Sequence, residues 1–117
     1  MKTDNVIQIK SYAFAIRIIK MYKYLCENKK EFVLSKQLLR SGTSIGANIE
    51  EAIGGQSGKD FYAKLTISYK EARETHYWIR LLKDTDYLSM DEANSLLKDT
   101  EELLKIIGSI QKTLRNS

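Results

Sequence analysis

Not one of the 117 residues is proline, and only six are glycine. A β-protein of this size needs a turn every few residues. Turns draw on Pro and Gly for backbone angles that other residues reach at a cost. A chain without proline keeps the amide-to-carbonyl ladder of a helix unbroken, because no ring removes a donor or clashes with the preceding turn. The chain is therefore expected to be all-α, built from a few long helices.

Hydrophobic periodicity divides residues 1–117 into four helices of a single domain. The first runs from about Asp4 to Asn28 and ends in the polar stretch Glu27–Glu31. The second runs from about Leu34 to Ile53. Ser35 is its expected cap, and Gly54-Gly55 its expected stop through a left-handed residue. The third starts at Ser57, with Asp60 placed to complete a capping pair. Its apolar row is Phe61, Leu65, Ser68, Ala72, Thr75, Ile79 and Leu82, in steps of three and four that keep to one side of a helix. The fourth starts at the capping box Ser89–Glu92, with the row Leu96, Thr100, Leu103, Ile107, Ile110 and Leu114. Asp91 and Glu92 sit at its positive end, and Lys112 and Arg115 at its negative end, as the helix dipole favours. Links of a few residues force neighbouring helices to run antiparallel, which gives an up-and-down four-helix bundle.

Two helices carry more than a bundle needs. The first has two apolar stripes, Ile7, Phe14, Ile18, Met21 and Leu25, and then Ile9, Tyr12, Ala13, Ile16 and Ile19. A helix that buries one face shows one stripe. The second stripe predicts contact with another molecule, most simply another copy of the chain, because most soluble oligomers are symmetric homo-oligomers. The second helix contains Gly42 and Gly46. Glycine inside a helix costs up to ~1 kcal/mol relative to alanine. Four-residue spacing puts both on one face, where they let a neighbouring helix approach closely. The Gly-Lys-Ser/Thr ending of a phosphate-binding loop is absent.

Charge is uneven along the chain. Residues 1–40 hold nine Lys/Arg and three Asp/Glu, whereas the rest is slightly acidic. Lys10, Arg17, Lys20 and Lys23 of the first helix form the candidate nucleic-acid surface, by phosphate contact with RNA or DNA. The alternative is a scaffold that binds another protein, with these charges only solvating the surface. Asn48, Glu51, Glu71, Arg73 and Glu74 are expected to form a polar network between the second and third helices. Catalysis has no visible basis. A paired-carboxylate site lacks anything to position a substrate, and the one histidine, His76, and the one cysteine, Cys26, lie on different helices. A di-metal bundle site needs Glu-x-x-His on two helices, but position 73 is Arg and no second histidine exists. No enzyme activity, cofactor or metal is expected. The lone thiol fits a reducing, cytoplasmic setting, and no run reaches the ~18–20 apolar residues of a membrane span.

Two segments carry a family resemblance. The first is Arg40-Ser41-Gly42-Thr43-Ser44-Ile45-Gly46-Ala47-Asn48-Ile49-Glu50-Glu51-Ala52, in which Arg40, Ser41, Ser44, Ile45, Ala47, Asn48, Ile49 and Glu51 match the motif. The second runs from Ile67 to Leu82 and includes Tyr69-Lys70-Glu71-Ala72-Arg73-Glu74 and His76-Tyr77-Trp78. Together they resemble the bacterial four-helix-bundle proteins named for the intervening sequences of 23S ribosomal RNA genes. The resemblance implies a ring-shaped homo-oligomer, a pentamer, without catalytic activity. A related protein, the accessory protein of diversity-generating retroelements, is a basic pentamer that binds nucleic acid and a reverse transcriptase.

Overall fold

A computed structural model describes the backbone of residues 2–55 and 57–117 and the side chains from Val6 onward, Gln56 excepted. Among these residues there are four helices and no strand: α1 (Lys2–Asn28), α2 (Leu34–Ile53), α3 (Gly58–Asp84) and α4 (Met90–Arg115). Each packs on its neighbours in the order α1–α2–α3–α4–α1, and the backbones of the diagonal pairs stay apart, meeting only through core side chains. Contacts across every seam rise in number on one helix as they fall on the other, so all four neighbouring pairs are antiparallel. The bundle measures 46 × 21 × 19 Å.

The core follows from the predicted rows. Ile7, Phe14, Ile18 and Leu25 meet Leu38, Ile45 and Ile49 of α2, Leu65, Ala72, Ile79 and Leu82 of α3, and Leu96, Leu103 and Ile107 of α4. Small polar residues also lie inside, and each hydroxyl has a partner, as burial requires. Ser68 Oγ donates to the Ile45 carbonyl across the α2/α3 seam at 2.9 Å. Thr75 Oγ1 lies 2.9 Å from Ser41 Oγ and 2.7 Å from the Glu71 carbonyl.

Gly42 and Gly46 have the use expected of them. A Cβ on Gly42 would stand 2.7 Å from Ile18 Cγ1, and one on Gly46 would stand 3.2 Å from the Ser11 carbonyl oxygen. Both glycines therefore set the α1–α2 distance.

The helix ends match the sequence reading at three places and differ at two. Ser57 Oγ accepts from the Asp60 amide at 3.1 Å. At α4, Ser89 and Glu92 accept from each other's amide, a complete capping box, and the acids and bases at its ends lie where the dipole favours them. At α2, however, the cap is Glu31. Its carboxylate accepts from the amides of Val33, Leu34 and Ser35 at 3.2, 3.0 and 2.7 Å. Ser35 lies two residues past the cap position, Val33, and so is too far in to cap. It is buried, and its hydroxyl donates to the Glu31 carbonyl. Gly54 closes α2 with φ −81°, not in the left-handed region, its amide bonded to the Glu50 carbonyl. The left-handed positions are Lys30 and Asp86, in the α1–α2 and α3–α4 links.

Candidate functional site

Each residue of a helix turns the chain by 100°, and this divides α1 into a core face, an outer face and an edge. Ile7, Phe14, Ile18 and Leu25 point into the core. Ile9, Tyr12, Ile16 and Ile19 fall on the opposite side, and Ile9 and Tyr12 remain 69% and 66% exposed. The two stripes read from the sequence are thus two separate faces.

The four candidate cations Lys10, Arg17, Lys20 and Lys23 do not act together. Lys10 and Arg17 lie on the edge beside α4. Lys10 Nζ donates to Glu102 Oε1 at 3.2 Å. Arg17 donates to Asp99 Oδ2 at 2.5 Å and to Ser95 Oγ at 3.0 Å. Exposed pairs add little stability, but they cancel charge locally, and a phosphate would have to displace a carboxylate already in place. Lys20 and Lys23 are exposed, and among the described residues neither has a carboxylate within ion-pair distance. The acids that meet α1 come from a helix some eighty residues further along, so the first forty residues alone overstate its charge.

A polar network does join α2 to α3, but around a different arginine. Arg40 holds Glu71 with two parallel bonds, Nη1 to Oε2 at 3.0 Å and Nη2 to Oε1 at 3.2 Å. Its Nη2 also donates to Glu74. The Trp78 indole N–H donates to the same Glu74 carboxylate at 2.9 Å. These bonds have electrostatic consequences. Hydrogen bonds to Glu71, and then to Glu74, hold the Arg40 guanidinium protonated well beyond its ordinary range. The Trp78 hydrogen bond, then Arg40, keeps the Glu74 carboxyl below the usual carboxylate range.

Of the five residues expected in this network, the structure brings together only Glu71 and Glu74. Arg73 is exposed on the other side of α3, because two steps from Glu71 rotate it by about 200°. Asn48 turns back on its own helix, its Nδ2 donating to the Ser44 carbonyl at 2.8 Å. Glu51 pairs with Lys64 at 3.1 Å. Arg40 and Trp78 were missed. The signal was the spacing of Glu71, Glu74 and Trp78, which lie in one row by steps of three and four.

His76 Nε2 lies 2.9 Å from Glu101 Oε2 on α4, at the surface. Among the described residues no three of His, Cys, Asp and Glu gather in a way that could hold a metal ion. Cys26 Sγ lies 3.8 Å from Ser35 Oγ. Among the described residues no helix is long and apolar enough to cross a membrane.

An all-α bundle, with its α1–α2 contact set by two glycines and its α2–α3 contact by an Arg–Glu–Glu–Trp cluster, defines a helix-packing protein by its sequence signature. The chain matches the 23S rRNA-intervening sequence protein family over residues 3–109 and belongs to it. Among solved structures it is similar to a protein of unknown function from the S23 ribosomal protein family of Bacteroides thetaiotaomicron VPI-5482. The two are 52% identical with a TM-score of 0.93, over 94% of this chain and 98% of that one. No curated protein matches. Three of the motif residues now have physical roles: Ser41 and Ile45 face α3, and Arg40 ties α2 to the two glutamates of the second segment; beside them in the same segment, Gly42 and Gly46 seat α1.

Proposed function

We propose that the chain works without catalysis, as a self-associating scaffold built on the outer face of α1. The observation that carries this is the exposed row Ile9, Tyr12, Ile16 and Ile19, directly opposite the core face of the same helix. With Val6 it leaves on the order of 400 Å² of apolar surface open, the size of the largest patch on a typical monomer, which is often a functional surface. A ring-shaped homo-oligomer, a pentamer by family resemblance, would repeat this contact once per subunit. A cytoplasmic setting belongs to the same proposal, on the single thiol.

Sedimentation equilibrium of the wild type and of Ile9→Glu with Ile16→Glu tests it. Both positions are exposed, so the variant keeps its helical circular dichroism. The expected result is an oligomeric wild type and a monomeric variant. A wild type that stays monomeric at high micromolar concentration would sink the proposal.

Nucleic-acid contact through α1 is a second reading. It now rests on Lys20 and Lys23, which lie beside the apolar row and have no carboxylate partner among the described residues. Changing both to glutamate without loss of RNA or DNA binding would remove it.

A further inference from the structure

An open trough runs along the α3/α4 face, away from the outer face of α1. Tyr69, Arg73, His76, Tyr77 and Arg80 of α3 line it with Leu104 of α4. Glu74 reaches its rim but is already held by Arg40 and Trp78. The seam beneath is fixed by cross-pairs. Arg115 donates to the Tyr62 hydroxyl, Gln111 to Thr66 Oγ1, and Lys83 to Asn94 Oδ1. Tyr69 lies against Gly108.

The charges around the trough differ from those on α1. Arg73 and Arg80 are exposed. On α4, Lys98, Lys105 and Lys112 occupy the outward row between the α3 seam (Glu101, Gly108, Gln111) and the α1 seam (Ser95, Asp99, Glu102), and all three are exposed. Among the described residues none of these five cations has a carboxylate within ion-pair distance. The acids beside the lysine row, Glu101 and Glu102, are engaged with His76 and Lys10. The seven-residue steps repeat each cation every two turns, about 10.5 Å apart.

Flat groups interleave with these charges. The Tyr77 ring is 46% exposed. The Arg80 guanidinium carbon lies 5.8 Å from the ring's centroid, and Trp78 meets the same ring edge-on at 5.1 Å. A cation row alone suits any polyanion. Tyrosine and guanidinium planes beside it suit one whose units also have flat faces, because bases stack on both. A duplex keeps its base faces covered by its own stack, whereas a single strand presents them.

We infer that the α3/α4 trough binds single-stranded nucleic acid, with bases stacked at Tyr77 and Arg80 and phosphates running along Arg73, Lys98, Lys105 and Lys112. From Lys98 to Lys112 is about 21 Å of helix, a site on the order of four to six nucleotides. Every subunit carries the whole trough, so the inference goes beyond the scaffold reading and does not depend on it.

The test is fluorescence anisotropy with a short mixed-sequence single strand, as RNA and as DNA, over a salt series. The comparators are the matching duplex and polyglutamate as competitor. Lys98→Glu with Lys105→Glu should weaken binding at least ~10-fold, and Tyr77→Ala roughly 5- to 100-fold. The wild-type slope of log K against log salt should be about −2 to −3, for three to four phosphates engaged. Lys20→Glu with Lys23→Glu should change little. All these positions are exposed, and circular dichroism verifies the fold of each variant. Repeating the titration with Ile9→Glu, Ile16→Glu separates the two proposals, since trough binding per subunit should survive loss of self-association. Absence of binding at low salt, tighter binding of the duplex, equal competition by polyglutamate, or sensitivity only to the α1 variants would each overturn the inference.

Discussion

Replacing Gly42 by alanine should destabilise this protein, although the same change in an exposed helix stabilises it. Alanine is the better helix former by about 1 kcal/mol. Against that stands Ile18, fully buried, whose Cγ1, Cγ2 and Cβ would lie 2.7, 2.8 and 3.2 Å from the new methyl. None of these atoms is the far end of a flexible chain, so α1 must move outward or Ile18 must leave its rotamer. Overpacking of this kind costs about 1–3 kcal/mol, and three close contacts place it toward the upper end. The net expectation is a loss of roughly 1–2 kcal/mol, seen as a melting temperature lower by roughly 3–6 °C per kcal/mol for a chain of this size. Removing the obstacle should reverse the sign. Ile18→Ala alone should cost about 2–5 kcal/mol through the cavity it leaves. In that background Gly42→Ala should be stabilising, because its methyl enters the cavity and the helix gains propensity. Urea unfolding followed by circular dichroism, at one protomer concentration, gives the four corners of the cycle. If Gly42→Ala stabilises the wild type by the full propensity gain, or if its sign is the same in both backgrounds, the close α1–α2 approach is not what the glycine serves.

Glu31→Ala should cost about 1–2 kcal/mol in unfolding free energy by urea titration, since three amides at the start of α2 lose their acceptor. Ser35→Ala should leave that end capped. Ser89→Ala should cost about 1 kcal/mol through loss of the α4 capping box, again by urea titration. Trp78→Phe removes the largest influence on the Glu74 carboxyl, so its titration by carbon-detected NMR should move up toward the ordinary 4.5. Because the folded carboxyl lies below its unfolded value, the stability it contributes is present above that value and fades as pH falls through the folded one. Acid unfolding of Trp78→Phe should accordingly be less steep over that interval.

Local chemistry made much of the fold legible before any contact was known. The lack of proline and the few glycines favoured a few long helices. The caps at Ser57 and Ser89 each need residues no more than three positions away, so sequence order places them. The apolar rows of α3 and α4 follow from the turn angle alone. Even the second stripe of α1 was readable, since the angle that puts Ile7, Phe14 and Ile18 inward puts Ile9, Tyr12 and Ile16 outward. At α2, by contrast, the reading pointed to Ser35 and missed Glu31, whose carboxylate, just after left-handed Lys30, reaches forward to three amides.

Partner choice across seams was decided by the tertiary structure. In the unfolded chain Arg73 is the arginine beside the two glutamates, lying between Glu71 and Glu74. The rotation of α3 turns Arg73 away and leaves Arg40, thirty-one positions before Glu71, to hold the carboxylates. Lys10 and Arg17 look unopposed along the first forty residues, yet the antiparallel return of α4 sets Glu102 and Asp99 beside them. The same return leaves Lys98, Lys105 and Lys112 facing outward near Arg73 and Arg80, a concentration of charge that neither helix shows by itself. Turn geometry and capping depend on neighbours in sequence, so most helix ends were legible there, the start and stop of α2 excepted. Ion pairs and surface fields depend on which helices pack together and in what register, and only burial of the shared core sets that.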